Sequence, residues 1–214
     1  MKIYICGDST AASYPVEMAP LTGWGQLLGG LTGGIPVENR AMAGRSTKSF
    51  LAEGRLQAIE AEIRPGDLLL IQFTHNDCSP LVWRHTDPWT SFRNNLALFV
   101  DTALQCKARP VLMTPLCRRY WHDGELQPSH GDYPAVIRML AMQRNVPLIE
   151  MYEESFAHVK ALGDEGSRPL FMHLAPGEYP GWPDGSIDDT HTRRAGAEAW
   201  AHVAADGLKR LGMI

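Results

Sequence analysis

Five short apolar runs recur along the chain, and segments with helical spacing separate them. The runs cover residues 2–6, 35–40, 67–73, 109–114 and 146–150, and each is bounded by residues that favour turns. Buried strands that alternate with helices are typical of parallel sheets, because each crossover helix returns the chain to the starting end of the sheet. The sequence therefore predicts an α/β fold, a three-layer αβα sandwich with a five-stranded parallel sheet.

The segments between the runs differ in their spacing of apolar residues. Phe92, Leu96 and Phe99 recur at about 3.6 residues, which predicts a crossover helix, and residues 193–211 predict an amphipathic closing helix. Two longer stretches, 118–134 and 163–189, predict irregular surface loops, and loops of this length are often functional. A chain of 214 residues is long enough for one substantial core, so we expect residues 1–214 to form a single domain.

Composition excludes several classes of partner. The net charge is -4, without the basic excess that nucleic-acid binding requires, and no apolar run is long enough to span a bilayer. The first apolar run is too short for the core of a signal peptide, which favours a cytoplasmic protein. The four cysteines are too scattered for a metal knuckle or a redox pair, and we expect them to be reduced thiols in or near the core. They are Cys6, Cys78, Cys106 and Cys117.

Reactive residues follow the predicted strands at several points. Ser9 lies in a turn after the first strand, Gly44 follows the second, and Asn76 follows the third. Asp188 and His191 come just before the closing helix. Because ligands bind at the carboxyl ends of parallel strands, these residues are expected to meet at one edge of the sheet.

The residue types match the requirements of acyl transfer. A serine hydroxyl needs a general base, and that base needs an orienting carboxylate, so we assign Ser9, His191 and Asp188 as nucleophile, base and orienting acid. An oxyanion hole needs donors aimed at the developing charge. The backbone N–H groups of Ser9 and Gly44 and the side-chain amide of Asn76 are the candidates.

Each of these segments also has a purely structural interpretation. Gly7-Asp8-Ser9 is a common turn sequence, and Asn76 with Asp77 is compatible with an Asx-turn. Asp188 is compatible with capping the closing helix, and Gly44 with relieving a tight turn. The catalytic interpretation is favoured because all the segments supply what one reaction needs and are expected at the same edge of the sheet.

The chain resembles the GDSL/SGNH hydrolase family, in which Ser9, Gly44, Asn76 and His191 would be the residues of the four family blocks. More narrowly, it looks like the rhamnogalacturonan acetylesterase branch. The blocks that carry this resemblance are Gly7-Asp8-Ser9-Thr10, Asn39-Arg40-Ala41-Met42-Ala43-Gly44-Arg45-Ser46, His75-Asn76-Asp77 and Asp188-Asp189-Thr190-His191. The resemblance implies a flavodoxin-like strand order 2-1-3-4-5 and metal-free hydrolysis of acetyl esters on pectic sugars through an acyl-enzyme. We therefore expect no metal and no cofactor.

One residue departs from the family pattern. The family usually has glycine before the His-Asn-Asp block, whereas this chain has Thr74. A β-branched residue does not readily adopt positive φ, so Thr74 is expected either to keep an ordinary extended backbone or to shift the loop that carries Asn76.

The substrate is less constrained than the chemistry. Trp24, Tyr179 and Trp182 lie in predicted loops near the site, where they would either stack on sugar rings or anchor the loops. Two other functions stay open: a lysophospholipase or thioesterase of the same fold, which would prefer long acyl chains, and a non-catalytic carbohydrate-binding protein. The expected partner is a small-molecule or oligosaccharide ester, with no nucleic acid and no membrane, and the sequence leaves the oligomeric state open.

Overall fold

The computed structural model describes residues 1–214 and confirms the predicted five-stranded parallel sheet. The strands of the chain are β1 Ile3–Gly7, β2 Val37–Asn39, β3 Leu68–Gln72, β4 Arg109–Met113, β5 Trp121–His122, β6 Glu125–Leu126, β7 Leu148–Ile149, β8 Phe171–Leu174 and β9 Ser186–Thr192. The central sheet has the order β2-β1-β3-β4-β7, and every neighbouring pair is parallel. Because β7 is the fifth strand of this sheet in chain order, the arrangement is the predicted order 2-1-3-4-5.

The sheet is apolar on both faces because successive side chains of each strand point to opposite sides. In β1, Ile3 and Ile5 belong to one hydrophobic cluster, and Tyr4 and Cys6 belong to the other. The residues of β3 alternate in the same way. A strand buried on both faces reads as a continuous apolar run, which is why these strands were visible in the sequence.

Helices cover both faces and complete the three layers. They are α1 Trp24–Leu27, α2 Thr47–Ala52, α3 Arg55–Glu62, α4 Arg93–Gln105, α5 Tyr133–Arg144, α6 Met151–Ser167 and α7 Arg194–Arg210. Helices α2 to α5 pack on the face that contains Tyr4, and α1, α6 and α7 pack on the face that contains Ile3. Helix α7 is the predicted closing helix. No helix combines the length and apolar character needed to cross a membrane.

Shorter helical turns connect these elements. They are the 3-10 turns Val16–Met18, Leu28–Leu31 and Arg168–Leu170, and the π-helical turn Pro88–Phe92.

Both stretches expected to be irregular contain regular structure, so that prediction was wrong in part. The first stretch contains the β5–β6 hairpin, and the second contains the end of α6 and the antiparallel pair β8–β9. Strand β9 is mostly polar, with the sequence Ser-Ile-Asp-Asp-Thr-His-Thr, and therefore lacks the apolar alternation that marks a half-buried strand. The residues Asp188 and His191 consequently lie on a strand that has a hydrogen-bonded partner, rather than on a loop.

Candidate active site

Ser9 lies in the turn that follows β1, at the carboxyl edge of the sheet. The side chain of Asp8 shapes this turn, because its Oδ1 accepts hydrogen bonds from the N–H of Thr10 at 3.0 Å and from the Thr10 hydroxyl at 2.8 Å. The hydroxyl of Tyr14 donates to the carbonyl oxygen of Ser9 at 2.7 Å. Gly7 is required just before the turn, because a Cβ there would lie 2.8 Å from the carbonyl oxygen of Gln72. The nucleophile candidate is thus held by both backbone and side-chain contacts.

His191 and Asp188 reach Ser9 from β9. The Nε2 atom of His191 lies 2.8 Å from Ser9 Oγ, and its Nδ1 atom lies 2.7 Å from Asp188 Oδ2. The other oxygen of Asp188 accepts the backbone N–H groups of Thr190 at 2.8 Å and His191 at 3.0 Å. Because an ionised carboxylate only accepts hydrogen bonds, Nδ1 carries the proton, and Nε2 is left to accept the Ser9 hydroxyl. The three predicted side chains therefore form one hydrogen-bonded chain.

The electrostatics of this chain suit a general base. Burial favours the neutral imidazole, but the hydrogen bond to Asp188 and its charge outweigh burial and raise the pKa of His191 above its ordinary value. Burial likewise opposes ionisation of Asp188, yet its hydrogen bonds and the charge of His191 lower its pKa to about 2. Asp188 is therefore a carboxylate at neutral pH, and its charge favours the protonated form of the His191 imidazole.

The three oxyanion candidates line the same pocket as the Ser9 hydroxyl. Gly44 has a φ of 79°, and a Cβ placed on it would meet no atom within 4 Å. Glycine is therefore suited to this position by its left-handed backbone, which residues with a Cβ rarely adopt. Asn76 donates one Nδ2 hydrogen to the carbonyl oxygen of Arg45 at 3.0 Å, which leaves its second Nδ2 hydrogen for a ligand.

The loop that carries Asn76 is pinned by its neighbours. Thr74 is fully buried and does not adopt positive φ. Its backbone therefore stays in the region that a β-branched residue ordinarily adopts. The carboxylate of Asp77 accepts hydrogen bonds from the N–H of Thr47 at 3.1 Å and from the Thr86 hydroxyl at 2.9 Å. Burial raises the pKa of Asp77 to about 7. Asp77 thus joins the loop after β3 to the first turn of α2.

The structure removes Trp24 from the predicted substrate-binding residues. Its side chain is fully buried, and its Nε1 donates to Oε1 of Gln72 at 2.7 Å, so neither face of the ring is open to a sugar. Tyr179 and Trp182 are half-buried and pack against a small cluster that includes Met172 and Leu174. Neither lines the pocket of Ser9, and the contacts favour their interpretation as loop anchors.

Three ionisable residues that line the pocket were given no role by the sequence interpretation: His75, Arg84 and Arg118. Arg84 donates from Nη1 to Asn76 Oδ1 at 2.8 Å, which fixes the orientation of the amide and turns Nδ2 away from the arginine. Arg118 comes five residues after the end of β4. Ser9 and Asn76 were selected because they follow predicted strands, at whose carboxyl ends ligands bind. Arg118 follows the fourth strand and meets the same criterion.

The pocket is small and open, and eight of the ten residues that line it have polar side chains. Its volume is about 360 Å³, and Ala43 is the one residue with an apolar side chain among those that line it. A serine with a histidine–carboxylate pair at the carboxyl edge of a parallel sheet is the arrangement of a serine ester hydrolase. The chain belongs to the GDSL-like lipase/acylhydrolase family, whose model matches residues 5–199.

The chain is also similar to individual members of that family along its whole length. It is 41% identical to rhamnogalacturonan acetylesterase RhgT of Bacillus subtilis, over 100% of this chain and 91% of RhgT. It is 37% identical to the probable rhamnogalacturonan acetylesterase YesY of Bacillus subtilis, over 99% of this chain and 94% of YesY. The resemblance to the rhamnogalacturonan acetylesterase branch is thus confirmed.

Solved structures confirm the fold. The YxiM protein of Bacillus subtilis superposes with a TM-score of 0.82 at 30% identity, over 99% of this chain and 56% of that chain. The chain therefore spans little more than half the length of YxiM. The acetylxylan esterase Axe2 of Geobacillus stearothermophilus superposes with a TM-score of 0.70 at 16% identity, over 97% of this chain and 93% of that chain.

Proposed function

We propose that this protein is a serine esterase that removes O-acetyl groups from carbohydrates of the rhamnogalacturonan type through an acyl-enzyme intermediate. The observation that carries the proposal is the hydrogen-bonded chain from Ser9 Oγ through His191 to Asp188. Similarity to RhgT and YesY, whose names specify rhamnogalacturonan acetylesterases, supports the substrate class.

The first half of the reaction transfers the acetyl group to the protein. His191 Nε2 takes the proton of Ser9 as Oγ attacks the acetyl carbonyl carbon, and the carbonyl electron pair moves to the oxygen. The N–H groups of Ser9 and Gly44 and the free Nδ2 hydrogen of Asn76 stabilise that oxyanion. When the intermediate collapses, the bond to the sugar oxygen breaks, and the imidazolium returns its proton to the leaving sugar.

The second half releases acetate by the same groups. His191 takes a proton from a water molecule as the water oxygen attacks the acetyl carbonyl, and the resulting oxyanion is held by the same donors. Collapse breaks the bond to Ser9 Oγ, which takes the proton back from His191. Asp188 remains ionised throughout and holds the imidazole in the productive tautomer.

The lining of the pocket favours a short acyl group over a long one. A long acyl chain is bound through apolar surface, at about 25 cal/mol for each Å² buried, and this pocket offers one apolar side chain, that of Ala43. The polar groups around it suit the hydroxyl-rich alcohol of a sugar ester. We therefore rank a lysophospholipase or thioesterase below a carbohydrate acetylesterase.

Acetate release from acetylated rhamnogalacturonan oligomers, acetylated xylo-oligomers and acyl thioesters tests the proposal. The rhamnogalacturonan oligomers are expected to react fastest, and a preference for thioesters would contradict the sugar assignment. Ser9→Ala is expected to abolish acetate release and labelling by a fluorophosphonate probe. An unlabelled wild-type protein that still binds the oligomers would instead identify a non-catalytic carbohydrate-binding protein.

We also propose a cytoplasmic location. The four cysteines are free thiols, which is compatible with a reducing compartment. Fractionation of cells that produce the protein, followed by detection with an antibody, tests this location.

A further inference from the structure

The side-chain amide of Asn76 is held from two opposite ends. At its oxygen, Arg84 donates from Nη1 to Oδ1 at 2.8 Å, and this is the one side-chain hydrogen bond that Arg84 makes. At its nitrogen, Nδ2 donates one hydrogen to the carbonyl oxygen of Arg45 at 3.0 Å. The amide therefore has a cation at its oxygen and a neutral acceptor at one hydrogen, and its second hydrogen is left for a ligand.

The segment that carries Arg84 is fixed before any substrate arrives. The guanidinium carbon of Arg84 lies 5.2 Å from the centre of the Trp83 ring, within the range of a cation–π contact. Two residues later, the N–H of Thr86 donates to the carbonyl oxygen of Asp77 at 3.0 Å, and the Thr86 hydroxyl donates to the Asp77 carboxylate at 2.9 Å. Since Asp77 directly follows Asn76, the arginine and the amide that it contacts are tied to one framework.

The charge of Arg84 is directed at a neutral group. Arg138, by contrast, forms ion pairs with two glutamates, as is usual for an arginine. The one carboxylate that lines the pocket, Asp188, is engaged by His191 and by two backbone N–H groups. The positive charge of Arg84 therefore acts on the amide of Asn76 without a carboxylate to neutralise it.

A cation at the oxygen of an amide makes the same amide a better donor. The oxygen and nitrogen are conjugated, so positive charge at the oxygen draws electron density from the nitrogen and makes its N–H bonds more polar. Linked hydrogen bonds polarise one another in this way inside a protein, where the effective dielectric constant is low. The gain increases as negative charge develops on a bound acyl oxygen, and it therefore stabilises the transition state more than the bound ester.

We propose that Arg84 is a positioning residue of the oxyanion hole, which acts through Asn76 by fixing and polarising its amide. The inference rests on the proposed esterase function, in which the free Nδ2 hydrogen of Asn76 donates to the oxyanion. Trp83 keeps the guanidinium in place. Because the carbonyl oxygen of Arg45 still orients the amide when Arg84 is lost, removal of Arg84 costs less activity than removal of Asn76.

A double-mutant cycle on 4-nitrophenyl acetate tests whether Arg84 acts through Asn76. Arg84→Met is expected to lower kcat by about 10-fold with KM changed by about twofold or less, against about 10²–10³ in kcat for Asn76→Ala. In the Asn76→Ala protein, the same change is expected to alter kcat by about twofold or less, because no amide is left to polarise. Arg84→Lys keeps the charge and is expected to recover part of the loss. Equal losses with and without Asn76, or a loss in KM alone, would mean that Arg84 acts on the substrate directly and would overturn the proposal.

Arg93→Met is the matched control. Arg93 is half-buried like Arg84, donates from Nη2 to an amide oxygen, that of Gln143, at 3.0 Å, and lies outside the pocket. This variant is expected to keep the wild-type kcat. Arg118→Met removes the other arginine that lines the pocket, whose hydrogen bonds go to residues other than Asn76, and is expected to lower kcat less than Arg84→Met does. An equal loss in Arg118→Met would assign the effect to the general charge of the pocket and contradict the proposal.

A measurement without turnover separates failure of this inference from failure of the proposed function. The Nδ2 amide signals of Asn76 are assigned in a proton–nitrogen correlation spectrum by their absence from the Asn76→Ala protein. Arg84→Met is expected to shift these proton signals upfield, because the N–H bonds become less polar, and Arg93→Met is expected to leave them in place. The upfield shift in a protein that hydrolyses no ester would support polarisation by Arg84 while rejecting the esterase function. Signals that do not move in Arg84→Met, or an Arg84→Met protein with wild-type kcat, overturn the inference.

Discussion

His191 Nε2 lies 2.8 Å from Ser9 Oγ, although the two residues are 182 positions apart in the chain. The contact depends on how the β8–β9 hairpin and the segment after it dock. The N–H of Thr22 donates to the carbonyl oxygen of Thr192 at 2.9 Å. The hydroxyl of Thr192 donates to the carbonyl oxygen of Thr22 at 2.8 Å. In addition, Nη1 of Arg119 donates a hydrogen bond to Oδ1 of Asp189 at 2.8 Å. The strand that carries Asp188 and His191 is thus held at Asp189, between the two residues, and at Thr192, directly after them.

Asp188→Asn tests the electrostatic role of the carboxylate. The amide keeps the size of the side chain but removes its charge, and kcat for 4-nitrophenyl acetate is expected to fall by about 10⁴, as in other serine triads. Asp184→Asn, which removes an exposed carboxylate from the turn between β8 and β9, is the matched control and is expected to retain activity.

The pH profile of the same variant gives an independent measure. His191 accepts a proton only when neutral, and its pKa is raised, so the wild-type kcat/KM is expected to rise with pH through a limb above about 6.5. Without the Asp188 carboxylate, the burial that lowers the pKa of His191 is less opposed, and the limb is expected to move to lower pH. A limb that stays in place would contradict the assignment of His191 as the base that Asp188 supports.

Asn76→Ala tests the oxyanion hole. Loss of one donor is expected to lower kcat by about 10²–10³ with a smaller effect on KM, because the hydrogen bond strengthens as charge develops on the oxygen. Steady-state kinetics on 4-nitrophenyl acetate measure both constants. Asn94→Ala, at an exposed position on α4, is the control. A variant impaired in KM alone would indicate that Asn76 binds the substrate rather than the oxyanion.

Arg119→Met tests how the hairpin is fastened. Arg119 is 5% exposed, and its guanidinium also donates to Ser167 Oγ at 3.2 Å and to the carbonyl oxygen of Asp164 at 2.8 Å. The free energy of unfolding is expected to fall by about 1–3 kcal/mol, since Asp164 and Asp189 are partly exposed and water can solvate them after the change.

Urea unfolding followed by circular dichroism measures this loss, and activity is expected to fall as well because the hairpin carries Asp188 and His191. Arg168→Met is the control, since its ion pair with Glu165 is exposed and is expected to contribute about 0.5 kcal/mol or less. An Arg119→Met protein that loses stability while keeping full activity would show that the hairpin docks without this arginine.

Several features of the fold were predictable from local patterns. The strands of the central sheet are buried on both faces and therefore appear as apolar runs, and β3 was predicted within one residue at each end. Helix α7 was recognised from its apolar face, again within one residue. The segments that contain Ser9, Gly44, Asn76 and His191 were selected because each follows a predicted strand or comes just before the closing helix, and the structure brings all four residues to one pocket.

Other features left no local signal. Strand β9 is polar along most of its length, and its regularity comes from pairing with β8. Trp24 was expected in a loop near the site, yet it lies in the short helix α1, which packs against the distant helix α7, and its indole is completely buried. Arg84 orients Asn76 through a hydrogen bond between their side chains. The sequence does not predict this bond, because its length depends on where the fold places both backbones.

The identity and order of the reactive groups could be read from the chain, because a nucleophile, a base and a carboxylate are properties of residue types. Whether these groups react as a unit was decided by tertiary structure. A hydrogen bond between Ser9 Oγ and His191 Nε2 requires a separation near 2.8 Å, and local propensity does not set the distance between the turn after β1 and strand β9. Packing of the sheet, α7 and the β8–β9 hairpin sets that distance, and with it the chemistry of Ser9.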